Sequence, residues 1–170
     1  MLKFVRLPDW EEFMDFYRAS QGSLICDGFH LRDEEIKVFF KAKGIENTII
    51  TSDVTSFAGL PPGQYKSEED EIIELTPEGM LKYPGQDVLY GSAVPISRGV
   101  VHMMNLTGCT LAEAIRMAST NPSRLYGLTD RGIIAPGKRG DLILFTVGKS
   151  NLHIEKTYVS GTLVFDALKQ

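Results

Sequence analysis

His30 lies in "CDGFHL" and Asp53 in "TSDV", and each follows a short apolar or β-branched run that reads as a buried strand. An imidazole and a carboxylate on adjacent strand ends can converge within a few ångströms to pass a proton or hydrogen-bond a substrate. The carboxyl edge of a parallel sheet is where α/β folds gather the loops that make such sites. Both residues also have plainer readings. An Asp after a strand often caps a helix or closes an Asx turn, and a lone loop His is commonly a surface or structural residue. Gly91 and Ser92, in "LYGSAVPISR", offer backbone N–H groups to an oxygen ahead of a helix. Lys138 and Arg139, in "APGKRGDLILF", read as a solvated turn rather than a phosphate site. His102 falls inside an amphipathic helix and His153 near an edge strand, so neither is read as catalytic. No serine occupies a G-x-S-x-G elbow, which leaves a nucleophilic triad without support.

The elements that must position these residues follow from periodicity and punctuation. Trp10, Phe13, Phe16 and Tyr17 recur at helical spacing over Asp9–Arg18. Leu24, Ile25 and Cys26 form a strand stopped by Asp27-Gly28. "RDEEIKVFFKAKG" has an acidic first turn, apolar Ile36, Phe39 and Phe40, a basic last turn and a closing Gly44, which specifies a helix. Thr48–Thr51 is the second strand. Strand, helix and strand in so short a span make a βαβ unit with parallel neighbours. Pro, Gly and acidic residues then surround "EIIEL" and "GMLKY", read as an exposed hairpin excursion over about 64–90 with arms 74–76 and 79–83. A helix passes through Val100, Val101 and Met104. In "TLAEAIRMASTNPSRLYG", Thr110 and Glu113 form a capping box, and Asn121 caps a second short helix that starts on Pro122. "DLILFTV", "HIEKTYV" and "TLVFD" make an all-β tail, the last two joined at Ser160-Gly161.

Composition bounds the partners. The 170 residues are 43% hydrophobic and 24% charged, with a net charge of −4, as in a soluble domain with one substantial core. That balance argues against nucleic acid or an anionic membrane as a partner. No apolar run is long enough to span a bilayer. Asp9, Glu11, Glu12 and Asp15 interrupt any leader-like stretch at the start. Cys26 and Cys109 show neither a disulfide framework nor metal spacing, so the expectation is reduced thiols in a cytoplasmic protein.

The succession "LICDGFHL", "IITSDVTSFAGLPPGQY", "LYGSAVPISRGV", "TLAEAIRMASTNPSRLYGL" and "RGIIAPGKRGDLILF" resembles the C-terminal portion of the amidohydrolase superfamily, in particular its N-acetylglucosamine-6-phosphate deacetylases. The resemblance covers roughly residues 22 to 165, and the joint order of the motifs carries it. It implies an α/β fold: the last two strands and helices of a (β/α)8 TIM-type barrel over residues 1–130, then strands of a small β-sandwich over 131–170. "LICDG" would be barrel strand 7 and "TIITSD" strand 8. The resemblance also implies a metal-dependent deacetylation of an N-acetyl amino sugar. In that chemistry a divalent metal, zinc by type, lowers the pKa of a bound water toward roughly 7. Asp53 matches the family's catalytic aspartate, which shuttles the proton to the leaving amine and also borders the metal. His30 matches the "DG-x-H" histidine that contacts substrate near the scissile carbonyl. Gly91, Ser92 and Ala93 match a loop lining the substrate pocket.

The family's His-x-His pair and middle-strand carboxylate have no counterpart among the three histidines of this sequence. A closed metal site needs at least three protein ligands. The expectation is therefore a fragment of a longer enzyme, inactive and without cofactor alone, that self-associates or pairs with an N-terminal part. Two rivals stand beside it. One is another amidohydrolase, dihydroorotase-like or an N-acyl amino acid deacetylase; the other is a non-catalytic module that binds a partner chain.

Overall fold

Two short parallel strands set the direction of the whole arrangement. The structure, a computed structural model, describes residues 19–169, so the helix expected over 9–18 lies outside the described residues. Strand β1 (Gly22–Ile25) pairs with β2 (Thr48–Thr51) in register Gly22↔Thr48 to Ile25↔Thr51. Helix α1 (Asp33–Asn47) makes the crossover between them. Gly44, at φ 67 and ψ 176, interrupts its helical backbone where the sequence places a stop, and a last turn over residues 45–47 leads into β2.

The crossover is covered by α2 (Ile96–Thr107) and α3 (Leu111–Ala118), which pack on β2 and on α1. Ile36, Ile50, Val100, Met103, Ala114 and Met117 form the buried centre between them. Gly99 lets α2 approach closely, since a Cβ there would stand 3.4 Å from the Cys26 carbonyl oxygen and from Ile50 Cγ2. Thr110 and Glu113 close the expected capping box on α3.

Helix α4 (Thr120–Leu125) corrects one expectation. Asn121 is not an N-cap; it sits inside the helix, fully buried, and donates through Nδ2 to the carbonyls of Ile45 and Thr48, both at 2.7 Å. It ties α4 to the entry of β2, satisfying two carbonyls that the turn between α1 and β2 leaves open.

The region read as one hairpin is a three-stranded antiparallel sheet, β3 (Gly63–Lys66), β4 (Ile72–Leu75) and β5 (Leu81–Lys82), in that spatial order. The sequence reading missed β3 because Gly63 and Gln64 lack strand propensity; pairing with β4 supplies the order. Ile73, Leu75 and Leu81 form a second small core with Phe57, Tyr65, Tyr83, Tyr90 and Ala93. The tail forms a separate antiparallel sheet of β6 (Leu142–Val147), β7 (Leu152–Val159) and β8 (Thr162–Asp166). Ser160 and Gly161, at φ 51 and 79, make the left-handed turn between the last two. His153 lies on β7, opposite Thr146 of the edge strand β6 and beyond the reach of β8. An apolar groove of about 930 Å³ runs between α2–α3 and β6–β7, lined by Ile96, Val100, Ile115, Ile134, Leu142 and Phe145. No helix among the described residues is long and apolar enough to cross a membrane.

Asn121→Ala is expected to lower unfolding free energy by about 2–4 kcal/mol, because two buried carbonyls lose their donor. The measurement is a urea midpoint at unchanged slope. A change within about 0.5 kcal/mol, the range of an ordinary surface substitution, would show that water replaces the amide without loss.

Candidate active site

Asp27 and Asp53 lie at equivalent heights, each two residues past the last paired position of its strand. The sheet therefore delivers both to the same, carboxyl edge, and their surroundings then make them different. Asp27 is only 3% exposed. Its Oδ1 accepts the backbone N–H groups of Phe29 at 2.9 Å and His30 at 3.0 Å, an Asx-type closure of the "DGFH" turn. Its Oδ2 meets His30 Nδ1 at 2.8 Å. Gly28 takes φ 89 within this turn, where a side chain would be strained. Arg98 of α2 stacks its guanidinium 5.6 Å from the Phe29 ring centre and donates to the Glu78 carbonyl at 3.0 Å, so the turn is also braced from outside.

Burial alone pushes the Asp27 carboxyl upward, but the backbone N–H groups of His30 and Phe29, the imidazole and the Ser92 hydroxyl outweigh it and hold the group below its ordinary value. The neighbouring Cys26 moves the other way. Desolvation, followed by the Asp27 charge, pushes its thiol up to about 12, so it stays protonated and is no nucleophile.

Asp53 is exposed, and no hydrogen bond or ion pair among the described residues engages its carboxylate. It is neither a helix cap nor a turn former; Asp27 does the turn-forming instead. Asp53 adopts φ 50, an uncommon left-handed conformation for a non-glycine residue. Its backbone is held by the 91–93 loop: Ser92 N–H donates to the Asp53 carbonyl at 3.1 Å, and Thr55 N–H donates to the Ser92 carbonyl at 2.8 Å. Gly91 is at φ 60, and a Cβ there would stand 2.8 Å from Thr55 Cγ2 and 3.8 Å from Asp53 Oδ2. The Ser92 N–H is therefore spent inside the fold and is not available to a ligand oxygen.

The carboxylate that meets His30 is Asp27, three residues earlier, rather than Asp53. With Nδ1 tied to Asp27, the ring keeps Nε2 for a ligand, as acceptor when neutral and donor when charged. The His30 side chain is 20% exposed. Asp27 was read only as a strand stop; its signal was the i, i+3 spacing of Asp and His around a glycine. Ala93 packs against the second small core, while Ser92 is 1% exposed. His102 Nε2 lies 3.6 Å from Asp33 Oδ1, and a Cβ at Gly28 in the Asp27 turn would stand 4.0 Å from it. Among the described residues no group of three or more His, Cys, Asp or Glu side chains is arranged to hold a metal ion.

An oriented imidazole and an unengaged carboxylate stand at the carboxyl edge of the parallel strands, where residue types of this kind can move a proton. Comparison gives the class. The amidohydrolase family model matches residues 27–164, and the chain belongs to that family. An N-acetylglucosamine-6-phosphate deacetylase from Bos taurus is 32% identical over 84% of this chain and 34% of its own length. A shorter relative from Escherichia coli (strain K12), 30% identical, is covered over 80% of its own length. The crystal structure of N-acetylglucosamine-6-phosphate deacetylase from Thermotoga maritima superposes with a TM-score of 0.75 at 32% identity, covering 86% of this chain and 39% of that one. The chain thus spans about a third of the length of the mammalian relatives it matches.

The Asp27 carboxyl, held below its ordinary value, contributes stability that is complete above the unfolded carboxylate pKa of about 4 and is lost as pH falls through the lower folded value. Asp27→Asn is expected to flatten this acid limb of stability and to lower the neutral-pH melting temperature. Thermal melts from neutral pH to about pH 2.5, spanning the carboxylate range, measure it. An acid limb of unchanged depth would assign that stability to other carboxyls.

Proposed function

We propose that this chain is the C-terminal portion of a deacetylase-type amidohydrolase acting on an N-acetyl amino sugar phosphate. In this reading β1 and β2 are the last two strands of a (β/α)8 barrel, residues 1–130 belong to that barrel with the excursion at about 64–90, and β6–β8 in 131–170 belong to a small β-sandwich. The observation that carries it is Asp53: a carboxylate at the end of a buried strand, in an uncommon backbone conformation, with no donor bound to it among the described residues. Family membership and the names of the matched relatives support the reaction class.

Amide hydrolysis must deprotonate a water and protonate a poor leaving amine. One carboxylate at the reacting carbon does both in turn: Asp53 accepts the water proton and returns it to nitrogen. His30, its ring fixed by Asp27, hydrogen-bonds the substrate near the scissile carbonyl through Nε2. Gly91 and Ala93 line the pocket wall, with Ser92 behind them.

The described residues do not by themselves fit the divalent metal that the family implies, since no three ligating side chains converge. We place those ligands in the part of the longer relatives that this chain does not span. The same part is the proposed occupant of the apolar groove and of the face that leaves Leu142, Leu144, Val147 and Ile134 exposed. An edge strand as apolar as β6 invites pairing.

Alone, the chain is expected to release no acetate from N-acetylglucosamine-6-phosphate and to scatter light as an associated species at micromolar concentration. A chimera placing it in the matching region of the Thermotoga maritima enzyme should hydrolyse that substrate. Asp53→Asn in the chimera should lower kcat by about 10²–10⁴ with metal content unchanged, and His30→Ala should lower kcat/KM. Near-normal turnover of the Asp53→Asn chimera would sink the assignment.

A further inference from the structure

The turn that carries His30 is seated on one face of α2. Arg98 and His102 stand one helical turn apart on that helix. Arg98 holds its guanidinium carbon 5.6 Å from the Phe29 ring centre, and a Cβ at Gly28 would stand 4.0 Å from His102 Nε2. Between them Gly99 brings the helix close to the Cys26 carbonyl. Phe29 and His30 both donate their N–H groups to Asp27 Oδ1, and Asp27 Oδ2 meets the His30 ring. Whatever moves Phe29 therefore moves the anchor of that ring.

Arg98 also reaches the other way. Its Nη1 donates to the Glu78 carbonyl at 3.0 Å, in the turn between β4 and β5. That turn is closed on itself, since Gly79 N–H donates to the Thr76 carbonyl at 3.0 Å and Thr76 N–H to the Met80 carbonyl at 2.8 Å. Gly79 takes φ 93, and a Cβ there would stand 3.6 Å from Val94 Cγ2 and 3.7 Å from Arg98 Nη1. The turn thus rests against the start of α2. Among the described residues no carboxylate pairs with Arg98. Its partners are a ring face and a carbonyl, and a flat guanidinium meets both at once by stacking on one and donating in its plane to the other.

The same sheet is fixed on the Asp53 side. Tyr90 N–H donates to the Leu81 carbonyl at 2.9 Å, and Phe57 and Ala93 pack on Ile73, Leu75 and Leu81. Phe57 lies just beyond Asp53 in the chain, and Ala93 adjoins Ser92, whose N–H holds the Asp53 carbonyl at 3.1 Å. The β3–β5 sheet meets the Asp53 loop through its core and the His30 turn through one side chain.

We propose that Arg98 is a positioning residue that fastens the β3–β5 sheet to the His30 turn and so makes the sheet a bracket between the two sides of the site. The proposal rests on the reading of His30 and Asp53 as the reacting groups. It adds what ties their loops together beyond the strand pair itself.

Deuterium exchange read by mass spectrometry on the purified chain tests it, because peptide masses can be read from an associated species. The probes are the amides of 27–30, the amides of 76–80 and the His30 ring C2–H. Arg98→Met keeps an unbranched stem and removes both contacts. It should speed amide exchange in both segments by about fivefold, the opening equivalent of one net hydrogen bond, and change the His30 ring rate. Phe29→Leu removes the ring on one side and should speed exchange in 76–80. Gly79→Ala strains the turn on the other side and should speed exchange in 27–30. Asp70→Ala, at the β3–β4 turn of the same sheet, should leave 27–30 as it was. A merely structural Arg98 would lower the melting temperature and raise exchange along the whole chain with the His30 ring rate unchanged, and that result overturns the proposal. Unchanged 27–30 amides in Arg98→Met or Gly79→Ala overturn it equally. Should Arg98→Met fail to fold, Phe29→Leu and Gly79→Ala decide it from the two ends. None of these readouts uses turnover. An inactive chimera would remove the catalytic reading and leave the bracket standing, while segments that open independently would remove the bracket and leave Asp53 as the candidate acid and base.

Discussion

A carboxylate buried at the end of β1 is the constraint from which the site follows. A charge withdrawn from water is tolerated only when its lone pairs are met by well-placed donors. Asp27 meets three: two backbone N–H groups of its own turn and an imidazole. Meeting the first two closes the turn and calls for Gly28 at positive φ. Meeting the third aims His30. Beside it, backbone bonds of Ser92 to Asp53 and Thr55 dock a distant loop on the continuation of β2, where Asp53 stands. Local turn chemistry and ring orientation are thus two consequences of satisfying one anion.

Around that edge the structure keeps the strand pair stiff. Parallel strands need a crossover and cover on their faces. Helix α1 makes the crossover, and α2 and α3 close over it with a glycine at the point of nearest approach. Asn121 anchors the opposite, amino end of β2 through two carbonyls. The strand that carries Asp53 is consequently held at both ends, by a buried amide below and by the Ser92 peptide above. The β3–β5 sheet adds support from outside, since its aromatic core includes Phe57 and Ala93 from the two segments that flank the site. The β6–β8 sheet is built differently: it packs on α2 through β7 but leaves much of β6 in solvent.

Two aspartates at the same register of adjacent strands illustrate why residue type and spacing alone could not assign roles. Each follows a buried strand, and each is compatible with a turn former or with a proton carrier. Asp27 became the turn former because a glycine follows it and its own amides fold back within reach. Among the described residues Asp53 meets no such donors, and the chain beyond it is drawn away to pair with Ser92. The difference lies in partners 39 residues downstream, invisible to any local window.

The amino-acid sequence by itself determined the elements whose signals are local. The capping box at Thr110, the stop at Gly44, the β-branched run of β2 and the Ser160-Gly161 turn all act through nearest neighbours along the chain, and all stand where they were read. The order of motifs likewise pointed to the amidohydrolase family, since membership is written in linear succession. Tertiary structure alone decided that Asn121 is an internal anchor, that Gly63–Lys66 is a strand, and that His30 answers to Asp27 rather than Asp53. It also decided that Ser92 faces inward. Each of these depends on which distant backbone groups remain unsatisfied after the local elements form. Buried donors and acceptors must find partners wherever the fold brings them, and a sequence read along its length does not say where that is.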